Sequence, residues 1–523
     1  MLPSTEEIKN MTPEAVAEMY NGEIKHLHEQ IDLLTEALCA ERNNRFGRSS
    51  EKDLSEEENG QQSLFNEAEA LADVSLKEPA IEEVVITYTR KKENGKRKEY
   101  LSRYEHEVIP HELTEEQLRE EFPKGWNRLN DEVYELLVCH PAKYTVEEHH
   151  VSIYKGKNGK IVRAPHPRRL LRASIVTPSL GAAIINAKYT NAMPLYRIEQ
   201  EFERNEISIS RQTMANWMIR LSEDYLSVVC DRMWQHLKTV PVLQADETTV
   251  EVSKDGRSAG SKSYMWVYRT GITYPEKQII LYDYRKTRNA EHPAECLKGY
   301  SGILVTDGYQ AYHKLDEETD SITVAGCWAH ARRRFADAVK AAGSSKKTLA
   351  SDALKRIQKI YDAEKKLEGL PFERKAAERQ KKIKPLADAF FLWVKQNRNR
   401  VLPSSKTGEG FTYCLNQEKY LRVFLERGDV PIDNNASERD IRPFTVGRKN
   451  WVMIDTIAGA RASASLYSLV ETAKASNLKV FEYLEFLLTK LPDYVSENRK
   501  LEELDEPMPW SEKIPDSCKK KPR

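Results

Sequence analysis

Five short runs of β-branched and aromatic residues constrain the fold more than any other feature of the sequence. Runs of this composition, bounded by glycine, proline and polar residues, are typical of β-strands. The first three follow one another closely and predict an antiparallel meander. The last two are short and apolar, as buried strands are. The five runs lie at 241–252, 264–268, 278–282, 302–306 and 322–325.

Two of these predicted strands carry an aspartate. Alternation along the first run places Asp246 on the same face as Val242 and Val250, among β-forming residues. An unpaired aspartate in such surroundings is costly, so Asp246 is expected to bind a cation. Asp307 comes directly after the fourth run and precedes Gly308, which is the profile of a buried strand that ends at a site.

A third acid, Glu438, follows the charged, helix-forming segment 340–428. Asp433 and the asparagines after it can cap a short helix, which puts Glu438 near the start of that helix. Taken alone, each acid also fits an ordinary structural role, and Glu438 could simply pair with Arg442 at the i, i+4 spacing. Phosphodiester chemistry with two metal ions needs acids gathered from distant points in a chain, and the three acids together fit that requirement.

The N-terminal region carries a helical repeat followed by segments of opposite charge. Its apolar residues recur at spacings of three and four, which indicates a helix that pairs with a second helix. Because few heptads are present, an ordinary amphipathic helix is the alternative. Residues 51–83 resemble a solvated acidic linker, whereas the basic run 90–98 either contacts phosphate or forms a soluble loop. The seam residues are Ile24, Leu27, Ile31, Leu34 and Leu38.

Residues 193–221 predict two helices joined by a short break. Leu195 and Ile198 mark one apolar face, the break falls at 205–209, and Ser210 is suited to cap the second helix. This outline is typical of a helix-turn-helix DNA reader, and equally of a plain helical hairpin. In the first case the second helix begins with three side chains that contact DNA, which are Arg211, Gln212 and Asn216.

The bulk composition excludes several classes of protein. The 81 lysines and arginines balance 81 acids, so any nucleic-acid surface has to be local. The 7 scattered cysteines form no Cys-x-x-Cys pair, which disfavours a disulfide framework and a four-cysteine zinc site. The sequence shows no signal peptide and no apolar run that could span a bilayer. With 523 residues, the chain is expected to be a multidomain, soluble, intracellular protein.

Short motifs across most of the chain resemble those of the insertion-sequence-66 family of bacterial transposases, and they occur in the same order. The resemblance extends from about residue 24 to about residue 490, and agreement of this many ordered motifs by chance is improbable. The motifs are RFGRSSEK at 45–52, PLYR at 194–197, QADET at 244–248, TDGYQAY at 306–312, GCWAHARRRF at 326–335, DNNASER at 433–439, GRKNW at 447–451 and LYSL at 466–469.

The resemblance implies a multidomain α+β/α/β protein with an RNase H-like mixed-sheet catalytic core, interrupted by a helical insertion. It implies that Asp246, Asp307 and Glu438 are the catalytic triad and hold two Mg²⁺ or Mn²⁺ ions, which activate water or a DNA 3′-hydroxyl for in-line attack on phosphorus. The implied partners are double-stranded DNA of the element ends and of the target, and accessory proteins of the same element. The a/d repeat of the N-terminal helix adds a second copy of the chain as an expected partner. The implied location is the bacterial cytoplasm, at the nucleoid.

Periodicity, composition and the resemblance together divide the chain into segments. A coiled-coil helix and a helix-turn-helix-like region precede the core, and a small zinc-module-like domain lies between them. The segments are the zipper helix 1–45, the charged linker 46–99, the small domain 100–165, the helix-turn-helix-like region 166–235, the first part of the core 236–340, the helical insertion 341–428, the second part of the core 429–490 and the C-terminal tail 491–523.

Further residues are expected to support the site or to contact DNA. Cys327 and His330 match a Cys-x-x-His of the family, and we expect them to support the site without binding metal. Family members commonly carry a small cysteine zinc module, but residues 100–165 contain a single cysteine, so zinc is not expected. Basic residues next to the acids are expected to position phosphates, although each would also suit a solvated surface. They are Arg332, Arg333, Arg334, Arg439, Arg442, Arg448 and Lys449.

Two other functions stay open at this point. A glycoside hydrolase would also use two of these carboxylates, but no obvious aromatic platform for a sugar lies beside them, and metal dependence would separate the two enzymes. A transposase descendant that binds or regulates DNA without cutting it would share most of the motifs. The presence of all three acids speaks against that second alternative.

Overall fold

The computed structural model of the protein describes residue 12 and residues 144–150, 152–155, 161–163, 169–258, 260–342, 348–496 and 501–521. The predicted zipper seam and the predicted linker lie outside the described residues. The chain divides into two compact units, one formed by residues 53–166 and the other by 1–52 together with 167–523. In the first unit, β1 (Ile153–Lys155) and β2 (Ile161–Arg163) form an antiparallel hairpin.

A mixed sheet lies at the centre of the second unit. Its longest strand, β3, pairs with β4 on one side and with β6 on the other, and the order is β5-β4-β3-β6-β7. The three strands β3, β4 and β5 are antiparallel, which confirms the predicted meander, and β6 and β7 run parallel to β3. The strands are β3 (Val242–Lys254), β4 (Lys262–Thr270), β5 (Ile280–Arg285), β6 (Gly302–Thr306) and β7 (Ile322–Gly326), and a short β8 (Ile454–Thr456) pairs with the far end of β3.

Helices cover both faces of the sheet because successive strand residues point to opposite sides. Leu243 and Leu304 belong to one hydrophobic core, whereas the neighbouring Val242 and Ile303 belong to the other. The first core contains residues of the N-terminal helices and of the last two long helices. These helices are α1 (Pro178–Ile185), α2 (Leu195–Arg204), α3 (Arg211–Leu221), α4 (Ser227–Leu237), α14 (Ile457–Ala475) and α15 (Val480–Ser496).

The second core joins the sheet to the helical segment that was expected as an insertion. Its large buried side chains include Trp328, Phe335, Phe390 and Phe411. The crossover helices are α5 (Glu291–Cys296), α6 (Gln310–Glu318) and α7 (Trp328–Ala342). The insertion contains α8 (Leu349–Lys365), α9 (Phe372–Glu378), α10 (Lys384–Asn397), α11 (Lys406–Asn416) and α12 (Glu418–Arg422).

After the insertion the chain returns to the sheet through α13 (Asn435–Trp451), which packs against β3 and β4. Residues 501–521, which belong to the predicted C-terminal tail, pack on the first core through the buried side chains of Met508, Ile514 and Cys518. Asp505 joins this segment to α4, because it accepts hydrogen bonds from Arg232 at 2.7 Å. In the part of the chain that the structure describes, no helix has the length and apolarity needed to cross a membrane.

The two helices expected between residues 193 and 221 are confirmed as α2 and α3. Ser210 caps α3 as predicted, because its side chain accepts a hydrogen bond from the backbone N–H of Thr213 at 3.2 Å. Glu199 of α2 accepts a further hydrogen bond from the backbone N–H of Arg211 at 2.9 Å. The second helix therefore starts at a position that two side chains fix.

Candidate active site

The parallel pairing of β3 and β6 brings two of the predicted acids together. Gln244 lies opposite Val305 in this register. Asp246 comes two residues after Gln244 on β3, and Asp307 comes two residues after Val305, directly after the end of β6, so both acids lie at the same end of this parallel pair. Gly308 then turns the chain with φ +92°, and a Cβ at this position would meet the Oε1 atom of Gln417 at 2.9 Å. The turn after Asp307 therefore requires glycine for its conformation and for its close packing.

Asn434 fixes the start of α13 beside Asp246. Its amide nitrogen donates to the carbonyl oxygen of Ala245 at 2.7 Å, and its Oδ1 accepts a hydrogen bond from Gln244 at 3.1 Å. Both partners belong to β3, directly before Asp246. Because Glu438 lies one helical turn after Asn434, this anchor brings the third predicted acid to the same region.

Burial and neighbouring negative charges act on the carboxylate of Asp246. Burial and the negative charges of Glu247, Asp307 and Glu438 raise the pKa of Asp246 well above its ordinary value of 3.8. The backbone N–H of Glu247 donates to Asp246 at 2.9 Å and opposes this shift, but it does not cancel it. Such convergence of carboxylates is what a bound cation relieves.

Glu438 is held by an arginine in this structure. Arg333 of α7 donates to Glu438 Oε2 at 2.7 Å, and His330 Nε2 lies 3.6 Å from Glu438 Oε1. Arg442, the i, i+4 neighbour, is not the partner that the structure gives to Glu438. Glu438 Oε1 is buried and accepts no hydrogen bond within the described residues.

Cys327 and two tyrosines of the insertion support the segments that carry the acids. The Cys327 sulfur, directly after β7, accepts a hydrogen bond from the backbone N–H of Asn434 at 3.1 Å. Burial raises the pKa of this thiol to about 12, so it stays protonated at neutral pH. Tyr413 donates to the carbonyl oxygen of Asp307 at 2.9 Å, and Tyr361 donates to the Asp433 carboxylate at 3.3 Å.

A fourth carboxylate, Glu247, lies beside the site and was not predicted. Its side chain is 2% exposed and forms an ion pair with Arg288. Tyr312 of α6 donates to its second oxygen at 2.7 Å. Burial and the charge of Asp307 raise the pKa of Glu247, while Arg288 opposes that shift. The sequence indicated Glu247 only through its position next to Asp246. Its partners Arg288 and Tyr312 lie 41 and 65 residues away in the chain, so the sequence did not show these contacts.

The structure separates the predicted DNA contacts into exposed side chains and one that faces inward. Arg448 is half-buried and donates to Thr248 at 3.2 Å and to Thr249, so it ties α13 to β3. Arg333 pairs with Glu438 as described. The exposed residues are Arg332 and Arg334 on α7, Arg439, Arg442 and Lys449 on α13, and Arg211, Gln212 and Asn216 on α3.

The donor atoms of the site are of the kind that binds a divalent metal ion, but the side chains are not arranged around a common point. Among the described residues, no group of three or more histidine, cysteine or acidic side chains is arranged to hold a metal ion. The donors themselves are hard carboxylate oxygens, which Mg²⁺ and Mn²⁺ prefer. The buried Oε1 atom of Glu438, which accepts no hydrogen bond among the described residues, is an oxygen that such an ion would satisfy.

The fold and the site define an α/β protein in which two neighbouring parallel strands and the first turn of a packed helix gather acidic side chains. A family model described as "Transposase IS66 family" matches residues 173–462, a stretch that contains all three predicted acids. A second model, described as "Transposase C of IS166 homeodomain", matches residues 27–113. The chain belongs to the IS66 family of transposases.

Relatives from Sinorhizobium fredii (strain NBRC 101917 / NGR234) match a large part of the chain. The uncharacterized protein y4qI is 32% identical over 370 residues, which cover 68% of this chain and 66% of the relative. The uncharacterized protein y4hP is 28% identical over 402 residues, covering 73% of this chain and 71% of the relative. The uncharacterized protein y4jD is 27% identical over 363 residues, covering 68% and 70%. The chain thus spans about two thirds of the length of each relative.

Proposed function

We propose that this protein cleaves DNA strands at the ends of an insertion sequence and joins them to target DNA, with Asp246, Asp307 and Glu438 as its catalytic carboxylates. The observation that carries this proposal is the convergence of the three acids. What supports it is that Asp246 lies on β3, that Asp307 directly follows the parallel neighbour β6, and that Glu438 lies on the helix that Asn434 anchors to β3. Membership in a transposase family makes DNA the substrate on which such a site would act.

The architecture supports an RNase H-like core. Three antiparallel strands followed by two parallel strands form the sheet, Asp246 lies on the central strand, Asp307 directly follows the strand next to it, and a long helix carries Glu438. The helical segment 348–428 enters between Asp307 and Glu438, which is the place expected for the insertion.

Asp246, Asp307 and Glu438 would hold the divalent metal ions. When bound, two such ions supply a nucleophilic oxygen and stabilise the charge on the leaving oxygen. The residues of this chain bind and orient the DNA phosphate, because Arg333 and the exposed arginines beside the site carry the opposite charge. The buried position of Asp246 strengthens these charge interactions, since less water screens them.

The proposal extends to the partners. The DNA would be the terminal repeats of the element and the target duplex, and α3 would contact it through Arg211, Gln212 and Asn216. A second copy of the chain would bind through the N-terminal helix. Accessory proteins of the same element are further candidate partners.

A cleavage assay on the DNA that flanks the gene tests the proposed function. We expect strand cleavage by the full chain with Mg²⁺ or Mn²⁺ and none with EDTA. Asp246→Ala, Asp307→Ala and Glu438→Ala should each lower cleavage by about a thousandfold or more, because each removes charge stabilisation from the reaction. Glu251→Ala, an exposed acid of the same strand β3, is the matched control and should cleave normally.

DNA binding measured on the same proteins distinguishes the remaining alternative. The alanine variants should bind the flanking DNA as the natural chain does. A natural chain that binds these ends but does not cleave them with either metal would instead indicate a regulatory descendant without catalysis. Cleavage that survives all three substitutions would contradict the catalytic role of the acids.

A further inference from the structure

The helix that carries Glu438 presents three cationic side chains and one valine in a stripe along its exposed side. Arg439, Arg442, Val446 and Lys449 are all exposed, and their spacings of three and four keep them on one side of α13. We call these four residues the α13 stripe. It begins at the residue after Glu438 and follows the helix for about 15 Å, at roughly 1.5 Å per residue. The stripe therefore leads directly away from the candidate catalytic carboxylate.

Acidic side chains of the same helix do not weaken this stripe. Asp440 faces the sheet, where its carboxylate accepts a hydrogen bond from Arg269 at 2.6 Å. Arg269 is only 5% exposed, so the pair is internal to the fold. Glu438 is the one other acid between residues 435 and 451, and it is directed to Arg333. The outward face of α13 thus carries positive charge without a carboxylate of its own helix.

A strained turn with exposed apolar side chains ends the stripe. Val452 has φ 64° and ψ −64°, and the backbone N–H of Met453 donates to the carbonyl oxygen of Trp451 at 2.8 Å. This is the γ-turn geometry that is rare for any residue and costly for a β-branched one. Val452 is 62% exposed and Met453 is 48% exposed. We call these two residues the 452–453 tip.

The surrounding structure holds the tip in this conformation. The backbone N–H of Val452 donates to the carbonyl oxygen of Arg448 at 2.7 Å, and Arg448 is itself tied to β3. Ser253 of β3 donates to the Met453 sulfur at 3.0 Å, and β8, which begins at Ile454, pairs with β3. The surrounding contacts thus hold a strained backbone where two apolar side chains are exposed, and strained residues of this kind cluster at functional sites.

We propose that the α13 stripe and the 452–453 tip guide the bound DNA duplex, with the three cations on phosphates of one strand and the tip inserted at a base step. The proposal rests on the proposed function, because it requires DNA at the carboxylates. Charge complementarity indicates DNA as the partner of this surface. The cations would contact the phosphate backbone, and the apolar side chains at the end of the stripe would contact the bases beside it. Methionine is among the side chains that proteins insert between base pairs.

The geometry predicts where the DNA is distorted. The tip lies 14 residues after Glu438 along α13, a distance of about 21 Å at 1.5 Å per residue. At roughly 3.4 Å per nucleotide of one strand, that distance corresponds to about six nucleotides. The unstacked step should therefore lie about six base pairs from the phosphate that is cleaved.

Salt-dependent binding of the full chain to the flanking DNA tests the stripe. Arg439→Gln, Arg442→Gln and Lys449→Gln should each weaken binding, and each should lower the slope of log K against log salt by about 0.9, because each removes one phosphate contact. Lys490→Gln, an exposed lysine of α15, should leave both quantities unchanged. Unchanged slopes in all three stripe variants, or an equal loss in the Lys490 variant, would overturn the proposal.

Permanganate oxidation, which marks unstacked thymines, tests the tip on the same DNA. The natural chain should produce a reactive step about six base pairs from the cut, and the double variant Val452→Gly with Met453→Ala should abolish it. Glycine relieves the strain at position 452, so the variant is expected to fold. Leu402→Ala, an exposed apolar residue of the insertion, should keep the reactive step. A reactive step that persists in the tip variant would overturn the proposal, as would its absence with the natural chain.

These readouts do not depend on catalysis. Binding and permanganate reactivity are measured with Ca²⁺ and on uncleaved DNA, so they report on the surface even if the carboxylates prove inactive. If the natural chain cleaves DNA but the stripe variants show an unchanged salt slope, the proposed guiding surface is overturned and the proposed catalytic function is not. Loss of cleavage in the carboxylate variants, with normal salt slopes, leaves both proposals supported.

Discussion

Burial and three neighbouring carboxylates act together on Asp246 and raise its pKa well above 3.8. In the unfolded chain this side chain releases its proton near the ordinary value. The folded protein therefore binds more protons than the unfolded chain between pH 3.8 and the raised pKa. The free energy of unfolding falls as pH rises through this interval, because the ionised aspartate is destabilised in the fold.

Asp246→Asn should therefore stabilise the metal-free protein at neutral pH. The substitution removes a repelled charge and keeps the shape of the side chain, and the increase in melting temperature should shrink as pH is lowered toward 4. Thermal unfolding of both proteins across this pH range measures the effect. Mg²⁺ should raise the melting temperature of the natural chain more than that of the variant. A variant that melts below the natural chain at pH 7 would contradict this account of the site.

In the proposed metal site, Arg333 would compete with the metal ion for Glu438. The guanidinium is 46% exposed and the carboxylate 27% exposed, so solvent screens much of their attraction. Arg333→Gln should release Glu438 and tighten Mn²⁺ binding by a factor of about two to five, as expected for an ion pair worth up to roughly 1 kcal/mol. Calorimetric titration of the full chain measures this affinity. Arg332→Gln, its exposed neighbour, is the control, and weaker Mn²⁺ binding in the Arg333 variant would refute the competition.

At the scale of elements, the helical insertion separates Asp307 from Glu438 in the sequence and also contacts the segments that carry the acids. Tyr413 of α11 binds the backbone at Asp307, and Tyr361 of α8 binds Asp433, at the entrance to α13. Gln417, between α11 and α12, packs against Gly308 at the turn that follows Asp307. The insertion therefore contacts two separate segments that carry the acids, and it contributes to their relative position.

Tyr413→Phe should weaken metal binding while leaving the core intact. The variant keeps the ring and removes the hydrogen bond to the Asp307 carbonyl, and the loss of a supporting contact of this kind lowers metal affinity by up to about tenfold. Mn²⁺ affinity and far-ultraviolet circular dichroism of the full chain check the two parts of this expectation. Tyr196→Phe, an exposed tyrosine of α2, is the matched control. Equal Mn²⁺ affinities of the Tyr413 variant and the natural chain would show that the insertion does not position Asp307.

At the scale of the whole molecule, the zero net charge hides an uneven distribution. Residues 51–83 contain 11 acids and 2 lysines, whereas residues 348–428 contain 18 lysines and arginines and 10 acids. The acidic segment compensates the basic insertion in the total. A chain with zero net charge can therefore still present a local basic surface to DNA. A local surface of this kind is what the amino-acid composition allowed.

Self-association of the chain should depend on the N-terminal seam. Ile31→Glu together with Leu34→Glu places charges where two helices would bury apolar residues, so the oligomer should dissociate to a smaller species. Light scattering coupled to size-exclusion chromatography gives the mass of each protein. His26→Glu, which lies outside the seam, should leave the mass unchanged. An unchanged mass in the double variant would favour the single amphipathic helix, the alternative that the sequence left open.

The sequence by itself determined the elements and the order in which they occur. The strands around Asp246 and before Asp307, the cap at Ser210 and the helical insertion were all predictable, because periodicity, capping and turn formation depend on residues close together in the chain. The family motifs added the expectation that Asp246, Asp307 and Glu438 converge. The register of β3 with β6 and the anchor at Asn434 bring these three side chains to one region.

Only the tertiary structure decided which side chains pair across that region. Glu438 contacts Arg333, 105 residues away, instead of the nearby Arg442, and Arg448 turns inward to β3 instead of outward. The sequence contains both members of each pair but not the distance between them. Partner choice among many arginines and acids depends on packing between α7, α13 and β3, which brings together residues far apart in the chain, so local patterns could not reveal it.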